Sequence, residues 1–182
     1  MKTLAFALAA SGLLALGVPA AAQTWIETPE AKMRAAEAAS EARADMLAKF
    51  GKDYLKPGQY LWDADADPNA PSRVVISLDD QMAYLYLGGE LAAASTISSG
   101  KPGNDTPTGI FPIKEKKVMH RSRKYDNAPM PHMQRLDDYG IALHAGKLPG
   151  RPASHGCVRL PAPFAAKLFG VTKVGTKVLI GS

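Results

Sequence analysis

The sequence predicts a mainly β domain with one short helix, preceded by an N-terminal helical extension. Three observations predict it. Fourteen prolines and sixteen glycines in 182 residues mark many turns, which suits short strands better than a helical bundle. Residues 73–98 contain three apolar runs separated by tight-turn signals. One stretch, Thr28 to Phe50, has instead the composition and end signals of a helix. A hydrophobic content of 46% is ordinary for a globular chain, and the length suffices for one sizeable core.

The first residues read as a secretory signal. Lys2 supplies a basic start, the stretch from Leu4 to Val18 is apolar, and Ala20-Ala21-Ala22 offers small residues for cleavage before Gln23. Gly12, Gly17 and Pro19 interrupt the stretch, and no run reaches the ~20 apolar residues of a membrane span. The expectation is export, with no membrane anchor once the signal is removed.

The helix follows. Thr28 is a good N-cap, Pro29 suits the first helical position, Glu30 matches the dipole and Gly51 fits the stop. Its interior is mostly alanine, as in a helix packed on the domain or a spacer. Tyr60 and Trp62 alternate, as in a short strand or an aromatic lid. Asp63 to Pro71 carries alternating aspartates. It lacks the central glycine and closing glutamate of a calcium loop and reads as a solvated linker.

Strand signals then run in series. Arg73 to Leu78 is β-branched and apolar, Asp79-Asp80 is a turn, and Met82 to Leu87 is a second strand. Gly88-Gly89 is a strong hairpin signal before a third strand, Leu91 to Ser98. Together they make an antiparallel meander. A Gly- and Pro-rich loop leads to Ile110–Ile113, and Ile141–His144 is a strand ending on a histidine. Pro163–Phe169 reads as a short helix and Thr176–Ile180 as the last strand. Lys114 to Asp138 is aperiodic, basic and rich in Met and Pro. Long irregular segments of this kind usually bind or cover a site, so it is expected as a mobile cover. His120 and His132 fall within it, with surface and substrate-facing roles both open.

The net charge of +5 comes from scattered basic residues. No basic stripe speaks for nucleic acid, which an exported chain rarely meets.

The lone cysteine carries the chemistry. Cys157 lies in Ser154-His155-Gly156-Cys157-Val158-Arg159, with His144 thirteen residues upstream. A thiol attacks as thiolate, and imidazole, cationic and backbone N–H neighbours lower its pKa. In an oxidising compartment a single thiol has no disulfide partner in its own chain. Proline and glycine around it mark a surface loop. Cys157 is therefore read as a nucleophile of lowered pKa. A zinc site from His144, His155 and Cys157 is available by ligand type, but His155 and Cys157 are only two residues apart. That does not match usual ligand spacings, so neither metal nor cofactor is expected.

Gly140-Ile141-Ala142-Leu143-His144-Ala145-Gly146, followed by Pro152 to Leu160 with its Ser-His-Gly-Cys-Val-Arg run, resembles the catalytic signature of the YkuD-type L,D-transpeptidases. Ser99-Gly100-Lys101-Pro102-Gly103 and Thr106-Pro107-Thr108-Gly109 are similar to the segment that precedes it in the family. One departure is Ala145, where many members carry glycine; Gly146 is expected to preserve the turn. The resemblance spans about residues 73–180. It divides the chain into a signal (1–22), a helical extension with linker (23–72) and a catalytic domain (73–182).

The resemblance implies a β-sandwich with a short helix packed on it, and periplasmic cell-wall chemistry. A peptidoglycan tetrapeptide stem acylates the enzyme at the carbonyl of its third residue, and the terminal D-alanine leaves. A second amine then takes the acyl group: another stem, a D-amino acid, or an outer-membrane protein. Cys157 is the implied nucleophile, and His144 the group that takes its proton and returns one to the leaving amine. Backbone N–H groups around His155, Gly156 and Cys157 are oxyanion candidates. Arg159 is placed to hold a substrate carboxylate. Ser154 serves as a hydrogen-bond partner or structural residue. For His155, orienting substrate, tuning Cys157 and stabilising the loop are all open. Two other readings use the same residues: a carboxypeptidase or hydrolase of stems, and a non-catalytic wall-binding module.

Overall fold

The computed structural model describes residues 27–182. The expected signal segment and its cleavage point lie outside the described residues. Helix α1 covers Pro29–Phe50, with the termini the sequence asks for. Thr28 Oγ1 accepts from the Ala31 N–H (3.2 Å) and Gly51 closes the helix at φ 65°. The strands that follow are β1 (Tyr60–Trp62), β2 (Ser72–Ser77), β3 (Met82–Leu87), β4 (Glu90–Thr96) and β5 (Gly109–Pro112). Next come β6 (Glu115–Arg121), β7 (Pro129–Arg135), β8 (Ala142–Ala145) and β9 (Val158–Leu160). Helix α2 (Ala162–Val171) and β10 (Lys177–Gly181) complete the chain.

Two sheets result. One has six strands in the order β1-β4-β3-β2-β10-β5, and the other four in the order β6-β7-β8-β9. The meander β2-β3-β4 is antiparallel as expected. Gly88 and Gly89 both take positive φ at its second turn, the conformation a tight two-residue hairpin needs. The mainly β architecture with a short helix and an N-terminal helix is the one expected.

The six-stranded sheet is buried on both faces. Along β2, Val74 and Ile76 join one core while Val75 joins the other. Along β3, Ala83 and Leu85 face the first, Tyr84 and Tyr86 the second. The first core lies between the sheets and includes Leu143, Val158, Leu160 and, from α2, Phe164 and Leu168. Tyr60 and Trp62 of β1 close it, each ring 5.9 Å from that of Phe164. A strand buried on both faces reads as a continuous apolar run, which is why Val74-Val75-Ile76 shows no alternation.

The second core is covered by α1. Ala31, Ala35, Ala39, Ala42 and Met46 form its buried stripe, at the i, i+4 and i, i+3 spacings of one helical face. Small side chains let the helix lie close; a side chain at Gly181 of β10 would run into the Ala35 carbonyl. Polar ties hold its outer flank. Tyr86 OH donates to Asp45 (2.7 Å), Arg43 pairs with Asp80 (3.1 Å) and Lys49 pairs with Asp63 of the polar linker. The helical extension is thus packed into the same body as the strands.

The segment from Lys114 to Asp138 corrects the expectation of irregular structure there. It is a regular antiparallel hairpin, β6 with β7, and supplies half of the second sheet. Pro129 and Pro131 hide this in the sequence, since proline cannot donate to a central ladder. Here β7 pairs with β8 only at Gln134 and Arg135, so both prolines fall where one side of the strand has no partner. His132 adds a kink, with φ 53°, and the pairing skips it.

Candidate active site

The site forms where β8 and β9 run side by side. Their parallel pairing sets Leu143 opposite Val158 and His144 opposite Arg159. Cys157 immediately precedes β9, so this register brings the two parts of the motif together. Gly146 also departs from expectation: no turn follows His144. The strand continues through Ala145, the Gly146 N–H donates to the Leu160 carbonyl (3.0 Å), and the Arg159 stem lies against the Gly146 Cα. Alanine after the histidine is tolerated because that position is extended.

The loop before Cys157 is held from below by the Ser99–Gly109 segment. The Ser99 carbonyl accepts from Ala153 N–H (3.0 Å) and Ser154 N–H (2.9 Å). Thr106 Oγ1 accepts from Gly100 N–H (2.9 Å) and donates to the Gly156 carbonyl (2.8 Å). Ser154 is buried; its hydroxyl donates to the Cys157 carbonyl and accepts from the Gly156 N–H (3.1 Å). The Gly156 N–H is thereby taken, which leaves those of His155 and Cys157 as oxyanion candidates. Gly156 itself has φ 111°, and a Cβ there would lie 2.7 Å from Ile141 Cδ1. Backbone conformation and close approach both require glycine.

Cys157 is half-buried against Met130, Met133 and Ala142. Its Sγ–H donates to the Gly140 carbonyl (3.5 Å). Burial raises the thiol pKa above its ordinary value of 9.0; the Ala142 N–H opposes this, the Asp137 charge adds to it, and Arg159 and Arg135 oppose it. The net direction is upward, which corrects the expectation of a lowered pKa. The apolar wall from β7 and β8 outweighs the cations.

His144 is buried, and burial lowers its pKa below 6.5; a hydrogen bond to the Ala145 carbonyl works the other way, and the Arg159 and His120 charges add to the lowering. Nδ1 lies 2.8 Å from that carbonyl. A carbonyl only accepts, so Nδ1 carries the proton and Nε2 presents a lone pair. Burial thus favours the neutral imidazole and the protonated thiol over the ion pair.

Cys157, His144, Ser154, His155 and Arg159 all line one open cavity of about 1380 Å³. Among the described residues, Arg159 makes no ion pair. The β6–β7 hairpin forms the opposite wall, and Tyr125 at its tip stacks on His155, with centroids 4.4 Å apart and planes at 20°. His155 is thus on the exposed rim. His120 lines the cavity; His132 instead packs on Phe169 of α2 (5.6 Å). No cluster of three or more metal-ligating side chains occurs among the described residues.

Residues 71–180 match the sequence model of the L,D-transpeptidase catalytic domain, YkuD. The chain belongs to the YkuD family. Among solved structures, this YkuD domain is similar to an L,D-transpeptidase from Mycobacterium smegmatis, with 23% identity, a TM-score of 0.57, and 62% of this chain and 59% of that one covered. An L,D-transpeptidase from Stackebrandtia nassauensis shares 24% identity at TM-score 0.57, over 78% and 65% of the two chains. L,D-transpeptidase 3 from Mycobacterium tuberculosis, solved with a faropenem-derived adduct, shares 18% at TM-score 0.56, over 62% and 60%. At these identities the likeness is one of fold, and this YkuD chain spans less than two thirds of each relative's length. No curated protein gives a match.

Two residues of the site escaped the sequence reading. Tyr125 carries no motif, and only the hairpin brings it to His155. Asp137 did carry a signal: Asp followed by Asp-Tyr-Gly before a strand is the pattern of a side chain that bonds its own following backbone.

Proposed function

We propose that this protein is a periplasmic L,D-transpeptidase that uses Cys157 to form an acyl-enzyme with peptidoglycan tetrapeptide stems. The observation that carries this reading is the state of His144. Its Nδ1–H is held by the Ala145 carbonyl (2.8 Å) and burial favours the uncharged ring, so Nε2 presents its lone pair in the cavity that also holds the thiol.

The chemistry follows from that state. As Cys157 Sγ bonds to the carbonyl carbon of the third stem residue, His144 Nε2 takes the thiol proton. The carbonyl oxygen becomes an oxyanion, and the N–H groups of His155 and Cys157 are the donors suited to it. Collapse breaks the bond to the terminal D-alanine, whose amine leaves with the proton from His144. A thioester remains. An incoming amine gives up a proton to His144, displaces Sγ and forms the new amide. Arg159, which pairs with no carboxylate among the described residues, holds a stem carboxylate as a bidentate partner. His155, braced by Tyr125, contributes to binding at the rim. The acyl acceptor is a second stem, a D-amino acid or the amine of an outer-membrane protein. No cofactor enters any step.

Purified muropeptides test this directly. The protein with residues 1–22 removed should convert tetrapeptide stems to cross-linked dimers or, with a D-amino acid supplied, to exchanged stems, each resolved by mass. Shortened stems alone would make it a hydrolase, and unchanged stems a binding module. N-terminal sequencing of periplasmic material should give Gln23 first; a membrane-bound chain starting at Met1 would overturn the proposed location.

A further inference from the structure

The loop joining β7 to β8 is built around one carboxylate oxygen. Asp137 Oδ1 accepts from the N–H groups of Tyr139 (3.0 Å), Gly140 (2.8 Å) and Ile141 (2.8 Å). Three charge-assisted hydrogen bonds to consecutive amides fix the path of this loop. Gly140 sits within it at φ 102°. From that conformation its carbonyl points to Cys157 Sγ, 3.5 Å away.

The same short segment supplies two more walls of the thiol's setting. The Ile141 side chain lies against Gly156, one residue before the cysteine. The next residue, Ala142, belongs to the apolar cluster against which the Cys157 side chain packs. So an acceptor for the thiol hydrogen, part of the apolar wall beside the sulfur, and the side chain that seats the preceding glycine all follow the loop that Asp137 fixes. Nothing in the proposed acyl transfer uses this carboxylate. It is the acidic group of the loop that is bound to the loop's own backbone; Asp138 beside it is exposed and pairs with Lys114 (2.8 Å).

We propose that Asp137 is a positioning residue for Cys157: its carboxylate fixes the loop that presents the Gly140 carbonyl to the thiol, aiming the sulfur, and sets a negative charge beside it. This rests on the reading of Cys157 as nucleophile. A resting thiol is less open to oxidation than a thiolate, which suits an exported enzyme with no second cysteine to rescue it. The charged and titratable groups around the sulfur are Asp137 from this loop, Arg135 from β7, His144 from β8 and Arg159 from β9. Glu115 lies further out, held by Arg135 and Lys117. Asp137 is the negative charge that disfavours the thiolate, and the two arginines oppose it.

Two variants of the full chain separate aim from charge. Alkylation of Cys157 by iodoacetamide, followed by intact mass across pH, needs neither His144 nor any stem. Asp137→Asn keeps the acceptor oxygen and loses the charge, so the alkylation midpoint should move to lower pH while carbapenem acylation at neutral pH stays within a few-fold. Asp137→Ala loses all three hydrogen bonds, and acylation should fall by on the order of 10²-fold, the cost of a misplaced reacting group. If Asp137→Ala does not fold, the midpoint of Asp137→Asn still decides. An unmoved midpoint in Asp137→Asn overturns the proposal, as does normal acylation by a folded Asp137→Ala. A shifted midpoint in a protein that leaves muropeptides unchanged would uphold Asp137 while sinking the transferase reading.

Discussion

Incubated with a carbapenem, the protein should gain one covalent adduct, and the modified peptide should contain Cys157. The strained lactam carbonyl stands in for the stem carbonyl and needs only the sulfur, a base and oxyanion donors. Cys157→Ala should abolish the adduct. His144→Ala should slow it by about 10²–10⁴-fold, the usual contribution of a positioned general base. His155→Ala should slow it less, because that ring stacks on Tyr125 at the rim. The pH profile carries further information. With the imidazole pKa lowered from 6.5, the ring charges and loses its lone pair only in more acidic solution. Acylation should therefore climb through an inflection below pH 6.5 and then hold level toward pH 9, the ordinary thiol value above which Cys157 ionises. A resting thiolate–imidazolium pair would behave oppositely, losing rate as the imidazolium lost its proton at higher pH. A falling limb between neutrality and pH 9 would thus overturn the base assignment, and an adduct that survives Cys157→Ala would overturn the mechanism.

Deleting residues 27–70 should leave a chain that does not unfold cooperatively, although the whole of the family match, residues 71–180, remains. The deletion strips α1 from Val75, Tyr84, Leu91 and Leu179, which would then face water as one apolar surface. A milder version measures the same contact. Met46 is fully buried between the helix and the sheet, and Met46→Ala should cost about 2–5 kcal/mol. Against a total stability of roughly 5–15 kcal/mol, that is a large fraction from one side chain. Thermal melts check both: Met46→Ala should lower Tm clearly, and the truncated chain should lack a sharp transition. A truncated chain that melts like the parent would mean that the helix is a dispensable appendage.

Features that depend on near neighbours were legible without coordinates. The Thr28 cap, the Pro29 start and the Gly51 stop delimit α1, because capping is settled within a few residues. Gly88-Gly89 announces the β3–β4 hairpin for the same reason, since only a backbone at ease with positive φ makes that turn. The Ser-His-Gly-Cys-Val-Arg run and His144 marked the site as a set of residue types.

Contacts between distant segments were not legible. The β6–β7 hairpin was hidden because its prolines lie where only pairing with β8 would have forbidden them, and that pairing stops at Gln134. The helix α1 could have been a spacer by its alanine-rich composition; its docking depends on Gly181, more than 140 residues away, leaving room for it. Chemistry shows the same division. Residue types near Cys157 suggested a lowered thiol pKa, but the sum of burial and charge is a property of three-dimensional surroundings. Met130, Met133 and Ala142 form the apolar wall, and Asp137 adds its charge through a loop twenty residues before the cysteine. By itself the sequence determined which residue types this protein gathers in its motif. Only the tertiary structure decided in which direction their pKa values move, because desolvation and Coulomb interactions depend on distances that the order of residues does not contain.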